Sequence, residues 1–174
     1  MTARSCTQPT IYLKMGEMAF ADQPSTITTV LGSCVAVTLF DSRQGHSAMC
    51  HGVMPFCASA GVCASECPRQ GYYVECSVLA MVNRFRSSGL RTEDIEARVF
   101  GGAQLFTTPS RLRSLLAVGP QNIEAARRAL KRIGIAVNSM IVGGRTGCRV
   151  NFNTMSGAVS VQRLDSVFSA DGRN

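Results

Sequence analysis

A chain of 174 residues, 45% hydrophobic and only 17% charged, has the size at which a domain buries roughly 70% of the surface its unfolded form exposes, which excludes disorder as the main state. No run reaches the ~18 uninterrupted apolar residues of a membrane helix, and residues 1–10 lack the apolar segment of a secretion signal, so a soluble, cytoplasmic protein without membrane insertion is expected. Formal net charge is +7, with 4 Lys+Arg against 5 Asp+Glu in residues 1–83 and 14 against 6 in residues 84–174; the basic second half suits an acidic partner, while 8 Phe, 3 Tyr and no Trp leave few rings for base stacking and argue against nucleic acid.

In chain order, Ile11 to Phe20 and Thr26 to Val30 are apolar or β-branched runs separated by the breakers Asp22-Gln23-Pro24-Ser25, and read as two strands joined by a turn. Cys34 to Phe40 alternates with Val35, Val37 and Leu39 on one side. The turn Asp41 to Gly45 follows, and Ala48 to Met54 completes a hairpin. Phe56 to Gly71 has no period and reads as a loop. Val74, Val78, Met81, Val82 and Phe85 recur at helical spacing, giving a helix from about Tyr72 to Ser88 with Gly89 to stop it. Ile95 to Phe100 alternates as a strand and ends at Gly101-Gly102, where a backbone without Cβ turns sharply or approaches another chain closely. A second helix begins near Gly119-Pro120-Gln121-Asn122, with Pro120 in the first turn or Asn122 as cap, and runs to Gly134 with Arg127, Arg128, Lys131 and Arg132 on its polar side. Ile135 to Val142, Arg149 to Asn153 and Ala158 to Arg163 are late strands. The expectation is a single α+β domain over 1–174, with its core at about 11–164 and short flexible termini.

The first hairpin makes a geometric prediction. With its loop centred between Ser42 and Arg43, Cys34 faces His51 across the ladder, close enough for a sulfur and an imidazole nitrogen to share a proton. A five-residue loop slips the register by one and separates the two faces. An adjacent imidazolium favours the thiolate, making a nucleophile with a proton donor beside it. The backbone N–H groups of Ser33 and Cys34, after Gly32, are candidates for an oxyanion hole, and the hydroxyl or carbonyl of Thr28 is a candidate to orient the imidazole. Cysteine at a strand start is also commonly a small buried hydrophobe, and a buried histidine commonly just satisfies a carbonyl.

The 8 cysteines support a rival site. Cys57, Cys63 and Cys67, with Cys50 and His51 nearby, supply enough soft ligands for tetrahedral zinc, although no C-x2-C knuckle occurs. Cys63 to Arg69 fits the C-x5-R phosphate cradle of cysteine phosphatases. No P-loop and no H-E-x-x-H helix is present, which argues against a nucleotide hydrolase or zinc protease of those types.

The run Thr28-Thr29-Val30-Leu31-Gly32-Ser33-Cys34-Val35-Ala36-Val37 with Leu39 and Asp41, then His51 before Met54-Pro55, resembles the CheD family of chemoreceptor glutamine deamidases. Gly16-Glu17, Phe100 to Ala103 with Phe106, Val118-Gly119 with Asn122, Gly134-Ile135, Gly143-Gly144 and Gly157 with Val159 and Val161 follow in the family's order. The resemblance implies Cys34 as nucleophile, His51 as general acid/base and Thr28 as third catalytic residue, with no cofactor and no metal. It implies a β-sandwich-like arrangement of mixed and antiparallel sheets flanked by two main helices, similar to the bacterial toxin deamidases. The partners it implies are the cytoplasmic helices of chemoreceptors and a CheC-type phosphatase; binding the latter, with catalysis secondary, is the alternative function. The chain departs from the family pattern at Cys148, between Gly147 and Arg149, and in Cys50, Cys57, Cys63, Cys67 and Cys76.

Overall fold

The computed structural model describes residues 8–57, 67–104 and 117–164. Among these residues, nine strands and two α-helices run in the order β1 (Thr10–Tyr12), β2 (Met18–Ala21), β3 (Thr26–Leu31), β4 (Val35–Asp41), β5 (His46–Gly52), α1 (Val74–Ser87), β6 (Glu96–Gly101), α2 (Val118–Ile133), β7 (Val137–Val142), β8 (Cys148–Asn153) and β9 (Val159–Arg163). They form a four-stranded sheet, β1-β3-β8-β9, and a five-stranded sheet, β2-β5-β4-β6-β7. The β1–β3 and β6–β7 pairs are parallel and the other pairs antiparallel, so both sheets are mixed. The fold class is α+β, as expected.

The three layers follow from where the apolar residues fall. On one face of the five-stranded sheet, Val35, Val37, Leu39, Ala48 and Cys50 pack with Val78, Met81, Val82 and Phe85 of α1 and with Ala126, Ala129 and Leu130 of α2. On the other, Ala36, Phe40, Met49 and Phe100 meet Ile27, Leu31, Val150 and Phe152 of the four-stranded sheet. Strand β4 is therefore covered on both faces, and every residue of Val35–Asp41 is buried. Its near-continuous apolar run is what a doubly covered strand requires. No helix among the described residues is long and apolar enough to cross a membrane.

Three sequence expectations change. The run Ile11 to Phe20 is two strands in different sheets, because Gly16 takes a left-handed φ of 80° and a turn closes at Lys14 to Glu17, with the Lys14 N–H on the Glu17 carboxylate at 2.8 Å and the Glu17 N–H on the Lys14 carbonyl at 3.1 Å. The β4–β5 hairpin is centred one residue further along than expected: Asp41 pairs with His46. Asp41 sets this, its carboxylate accepting the N–H groups of Arg43 (3.1 Å) and Gln44 (2.9 Å) while the Gly45 N–H donates to its carbonyl. Helix α2 begins at Val118, so Asn122 sits inside it and is not its cap. Its end is as read: Gly134 is left-handed (φ 85°), and the Ile135 N–H closes on the Leu130 carbonyl, a Schellman arrangement.

Candidate active site

Cys34 lies between β3 and β4, where the chain crosses from one sheet to the other. The Gly101-Gly102-Ala103 segment braces that crossing from behind. The Gly102 N–H donates to the Cys34 carbonyl and the Ala103 N–H to the Gly32 carbonyl, both at 2.8 Å. A Cβ on Gly101 would stand 2.5 Å from the Cys34 carbonyl oxygen, at a φ of 93°. Only glycine meets both demands, the close approach and the left-handed backbone. Among the described residues, no backbone carbonyl accepts from the N–H of Ser33 or of Cys34.

His51 is fixed through main chain and ring alike. Its N–H donates to the Glu17 carbonyl and its own carbonyl accepts from Gly16, each at 2.9 Å, so the turn that splits β1 from β2 clasps the residue. The ring is buried. Its Nδ1 lies 2.7 Å from the Thr29 hydroxyl, and that hydroxyl donates to the Leu13 carbonyl at 2.8 Å. A hydroxyl has one proton, and a carbonyl only accepts; with that proton committed to Leu13, the network assigns the imidazole proton to Nδ1. Nε2 is then the basic nitrogen. It is buried and has no hydrogen-bond partner among the described residues.

The register decides how the two side chains relate. Ala36, not Cys34, stands opposite His51. Cys34 is two residues before Ala36 and shares its inter-sheet layer, so the slip from the expected register is even and keeps cysteine and histidine on one face. Cys34 thus lies one residue beyond the end of the ladder, on the diagonal from His51 rather than opposite it. Burial pushes the Cys34 thiol up, offset in part by its own backbone N–H. Burial likewise pushes the His51 imidazole down, against the Leu13 carbonyl and the Glu17 carboxylate, which act to raise it. Both shifts favour the neutral pair, thiol with imidazole. They run against the thiolate-imidazolium pair expected from the sequence.

Among the described residues, no hydrogen bond joins Thr28 to the ring. In β3, Ile27 and Leu31 point into the inter-sheet core, so Thr29 faces inward with them and Thr28 faces outward. The Thr28 hydroxyl donates to Asn151 Oδ1 at 2.6 Å and its carbonyl accepts from the Leu13 N–H. It lines, with Thr29, His51, Lys14 and Arg149, a surface cleft of about 570 Å³. The inward residue one step later, Thr29, is the one that strand alternation from Ile27 and Leu31 had the means to reveal.

The thiols proposed for zinc divide. Cys50 belongs to the helix-facing core and His51 to the opposite face of β5, so those two do not converge. Burial drives the Cys50 thiol up to about 11. Among the described residues, Cys57, Cys67 and Cys76 are in no disulfide, and no group of three or more His, Cys, Asp or Glu is placed to hold a metal. Cys63, and with it the C-x5-R reading, lies outside the described residues. Cys148 is buried at the start of β8, opposite Leu31.

Known proteins resemble this chain over most of its length. Residues 59–163 match the family described as CheD chemotactic sensory transduction. A Geobacter sulfurreducens protein named probable chemoreceptor glutamine deamidase CheD 2 is 37% identical over 167 residues, 95% of this chain and 96% of that one. A probable chemoreceptor glutamine deamidase CheD of Maridesulfovibrio salexigens is 32% identical over 156 residues, 89% of this chain and 92% of that one. Among solved structures, the Bacillus licheniformis hypothetical protein YfiH superposes with a TM-score of 0.44 at 14% identity, covering 73% of this chain and 49% of that one. Identity above 30% that spans nearly the whole of both chains, together with a family match over more than half of this one, settles the kinship: the chain belongs to the CheD family.

Proposed function

We propose that this chain hydrolyses the side-chain amide of selected glutamines on chemoreceptors to glutamate, with Cys34 as nucleophile and His51 as its proton shuttle. The relatives bear the name of that activity, and one observation carries the assignment of roles: His51 Nδ1 is held by a hydroxyl already committed to Leu13, which leaves Nε2 unpartnered on the layer that holds Cys34.

The resting pair is neutral, so His51 Nε2 takes the thiol proton as Sγ attacks the amide carbon, in the manner of a serine–histidine pair. The C–S bond forms, the carbonyl π electrons move to oxygen, and the N–H groups of Ser33 and Cys34 receive the oxyanion. The imidazolium returns its proton to the amide nitrogen, the C–N bond breaks and ammonia departs. A thioester remains on Cys34. Nε2 then removes a proton from water, hydroxide adds to the thioester carbon, and collapse expels the thiol and releases glutamate. Thr29 replaces Thr28 as the third member, keeping the proton on Nδ1 throughout.

The substrates in this reading are receptor cytoplasmic helices rich in carboxylates. Helix α2 turns exposed Arg128 and Lys131 outward, while Arg132 is paired with Glu75 at 2.6 Å. The exposed cations suit steering of an acidic helix. A CheC-type phosphatase is a second partner in this proposal, on a surface separable from the thiol, so Cys34→Ala should abolish deamidation and leave capture of that phosphatase unchanged.

Mass spectrometry of a glutamine-bearing receptor fragment tests the reaction. A gain of about one dalton per modified glutamine, dependent on Cys34, is expected, because exchange of NH2 for O⁻ and a proton adds that mass. The same gain with Cys34→Ala, or none with the native chain, rejects it.

A further inference from the structure

Asn122 is fully buried in the second turn of α2, and its side chain serves neither the helix nor solvent. Its Nδ2 donates to the Ser33 carbonyl at 3.1 Å and to the Val53 carbonyl at 2.9 Å. Ser33 immediately precedes Cys34, and Val53 follows His51 by two residues. The amide orientation is unambiguous, because a flip would set Oδ1 against two carbonyl oxygens. Oδ1 itself is buried without a partner among the described residues. An orphaned acceptor is unfavourable, and it accompanies full use of both Nδ2 hydrogens.

The place of this bridge in the sheet is what gives it a role. The β4–β5 ladder ends at Val35 and Gly52. Beyond that pair the strand ends carrying Cys34 and leaving His51 have no ladder bond between them. Asn122 supplies the connection there, joining two carbonyls that cannot bond each other. The helix that carries it is seated without slack: a Cβ on Gly119 would meet the Gly102 carbonyl oxygen at 2.6 Å and the Ala103 carbonyl oxygen at 2.8 Å, and Gly102 and Ala103 are the residues whose N–H groups hold Cys34 and Gly32.

We infer that Asn122 is a positioning residue for the reaction, a bracket across the open end of the hairpin that sets the distance and angle between the Cys34 sulfur and His51 Nε2. This rests on the cysteine–histidine assignment made above. A misplacement of about 1 Å between reacting groups costs on the order of a hundredfold in rate, and the bracket acts on that spacing through main chain alone, without touching either side chain.

The test uses the full-length chain with Asn122→Ala, Asn122→Ser and His51→Ala. Two quantities are read: kcat and KM on the receptor fragment, and the pH dependence of iodoacetamide alkylation at Cys34, followed on its own peptide by mass spectrometry. Asn122→Ala is expected to lower kcat by roughly ten- to a hundredfold with KM within about threefold, and to move the Cys34 alkylation profile toward that of His51→Ala. Asn122→Ser keeps one donor and should fall between; it carries the same reading if the alanine variant does not fold. Serine or alanine variants with native kcat and the native alkylation profile overturn the bracket alone. A native chain that neither deamidates nor differs from His51→Ala in its Cys34 profile overturns the cysteine–histidine assignment, and the bracket with it.

Discussion

The Thr29 hydroxyl stands between His51 and Leu13, 2.7 Å from the imidazole Nδ1 and 2.8 Å from the carbonyl it donates to. This relay sets which ring nitrogen is basic, so Thr29→Val, which keeps shape and removes the oxygen, should lower kcat by about ten- to a hundredfold. It also leaves a buried Nδ1 unsatisfied, at a cost of about 1–3 kcal/mol in stability. Thr29→Ser should restore both. Thr28→Val removes only the bond to Asn151 and should leave kcat within about twofold. Steady-state kinetics with urea unfolding of the three variants separates the assignments, and a larger loss at Thr28 than at Thr29 would return the third role to Thr28.

Burial lowers the His51 pKa and raises that of Cys34, which fixes the sign of two pH effects. The acid limb of kcat/KM belongs to His51 and should lie below the ordinary histidine value of ~6.5. For stability, the unfolded chain binds the histidine proton more readily than the folded one. His51 therefore contributes stability that is present above ~6.5 and lost as pH falls through the folded value. The cysteine works in the opposite sense: its contribution is full below the ordinary thiol value of ~8.5 and lost as pH rises through the raised one. Urea midpoints should be highest between those two ordinary values. In His51→Ala the fall on the acid side should shrink, and an unchanged acid-side fall would show that other groups govern it.

Much of this arrangement was legible from residues alone, and the parts that were not share a cause. Alternation of Val35, Val37 and Leu39 gives β4, helical spacing from Val74 to Phe85 gives α1, and Gly134 marks the end of α2. Cysteine and histidine were expected directly opposite each other; the ladder instead pairs His51 with Ala36, and Cys34 shares the inter-sheet layer of Ala36 from just outside β4. The missing residue of offset came from Asp41, whose carboxylate binds the turn N–H groups; composition of the turn did not specify that geometry. Thr29 was hidden in a narrower sense: alternation from Ile27 and Leu31 puts it on the inward face of β3, but that the five-stranded sheet carrying His51 packs on that face is set only by the tertiary structure.

Gly101→Ala should be among the most damaging single-methyl changes in the chain. Its Cβ would fall 2.5 Å from the Cys34 carbonyl oxygen and 2.8 Å from Leu31 Cδ1, at a φ of 93°. Left-handed strain and overpacking each cost about 1–3 kcal/mol, and the Cys34 carbonyl cannot retreat without losing its bond to Gly102. The expected result is a loss of about 2–6 kcal/mol in urea unfolding, with activity falling further than the folded fraction. Gly134→Ala is the control: it is also left-handed, but nothing lies within 4 Å of its Cβ position, so it should show the strain without the clash and keep its kcat.

Glu17 offers a way to move the histidine without touching it. Its carboxylate favours the charged imidazole, while one of its oxygens accepts the Lys14 N–H at 2.8 Å. Glu17→Gln keeps an oxygen for that bond, and so the turn that clasps His51, but deletes the charge. With the charge gone, the imidazolium loses a stabilising partner and the His51 pKa drops further. The acid limb of kcat/KM should therefore move to lower pH relative to the native chain, while kcat at pH 8, where the imidazole is already neutral, should stay within about twofold. Glu17→Ala removes turn and charge together and should lower kcat as well. A pH–rate profile of Glu17→Gln that moves to higher pH, or does not move, would mean that the carboxylate does not act on the ring, and that the turn at Gly16 holds His51 by its main chain only.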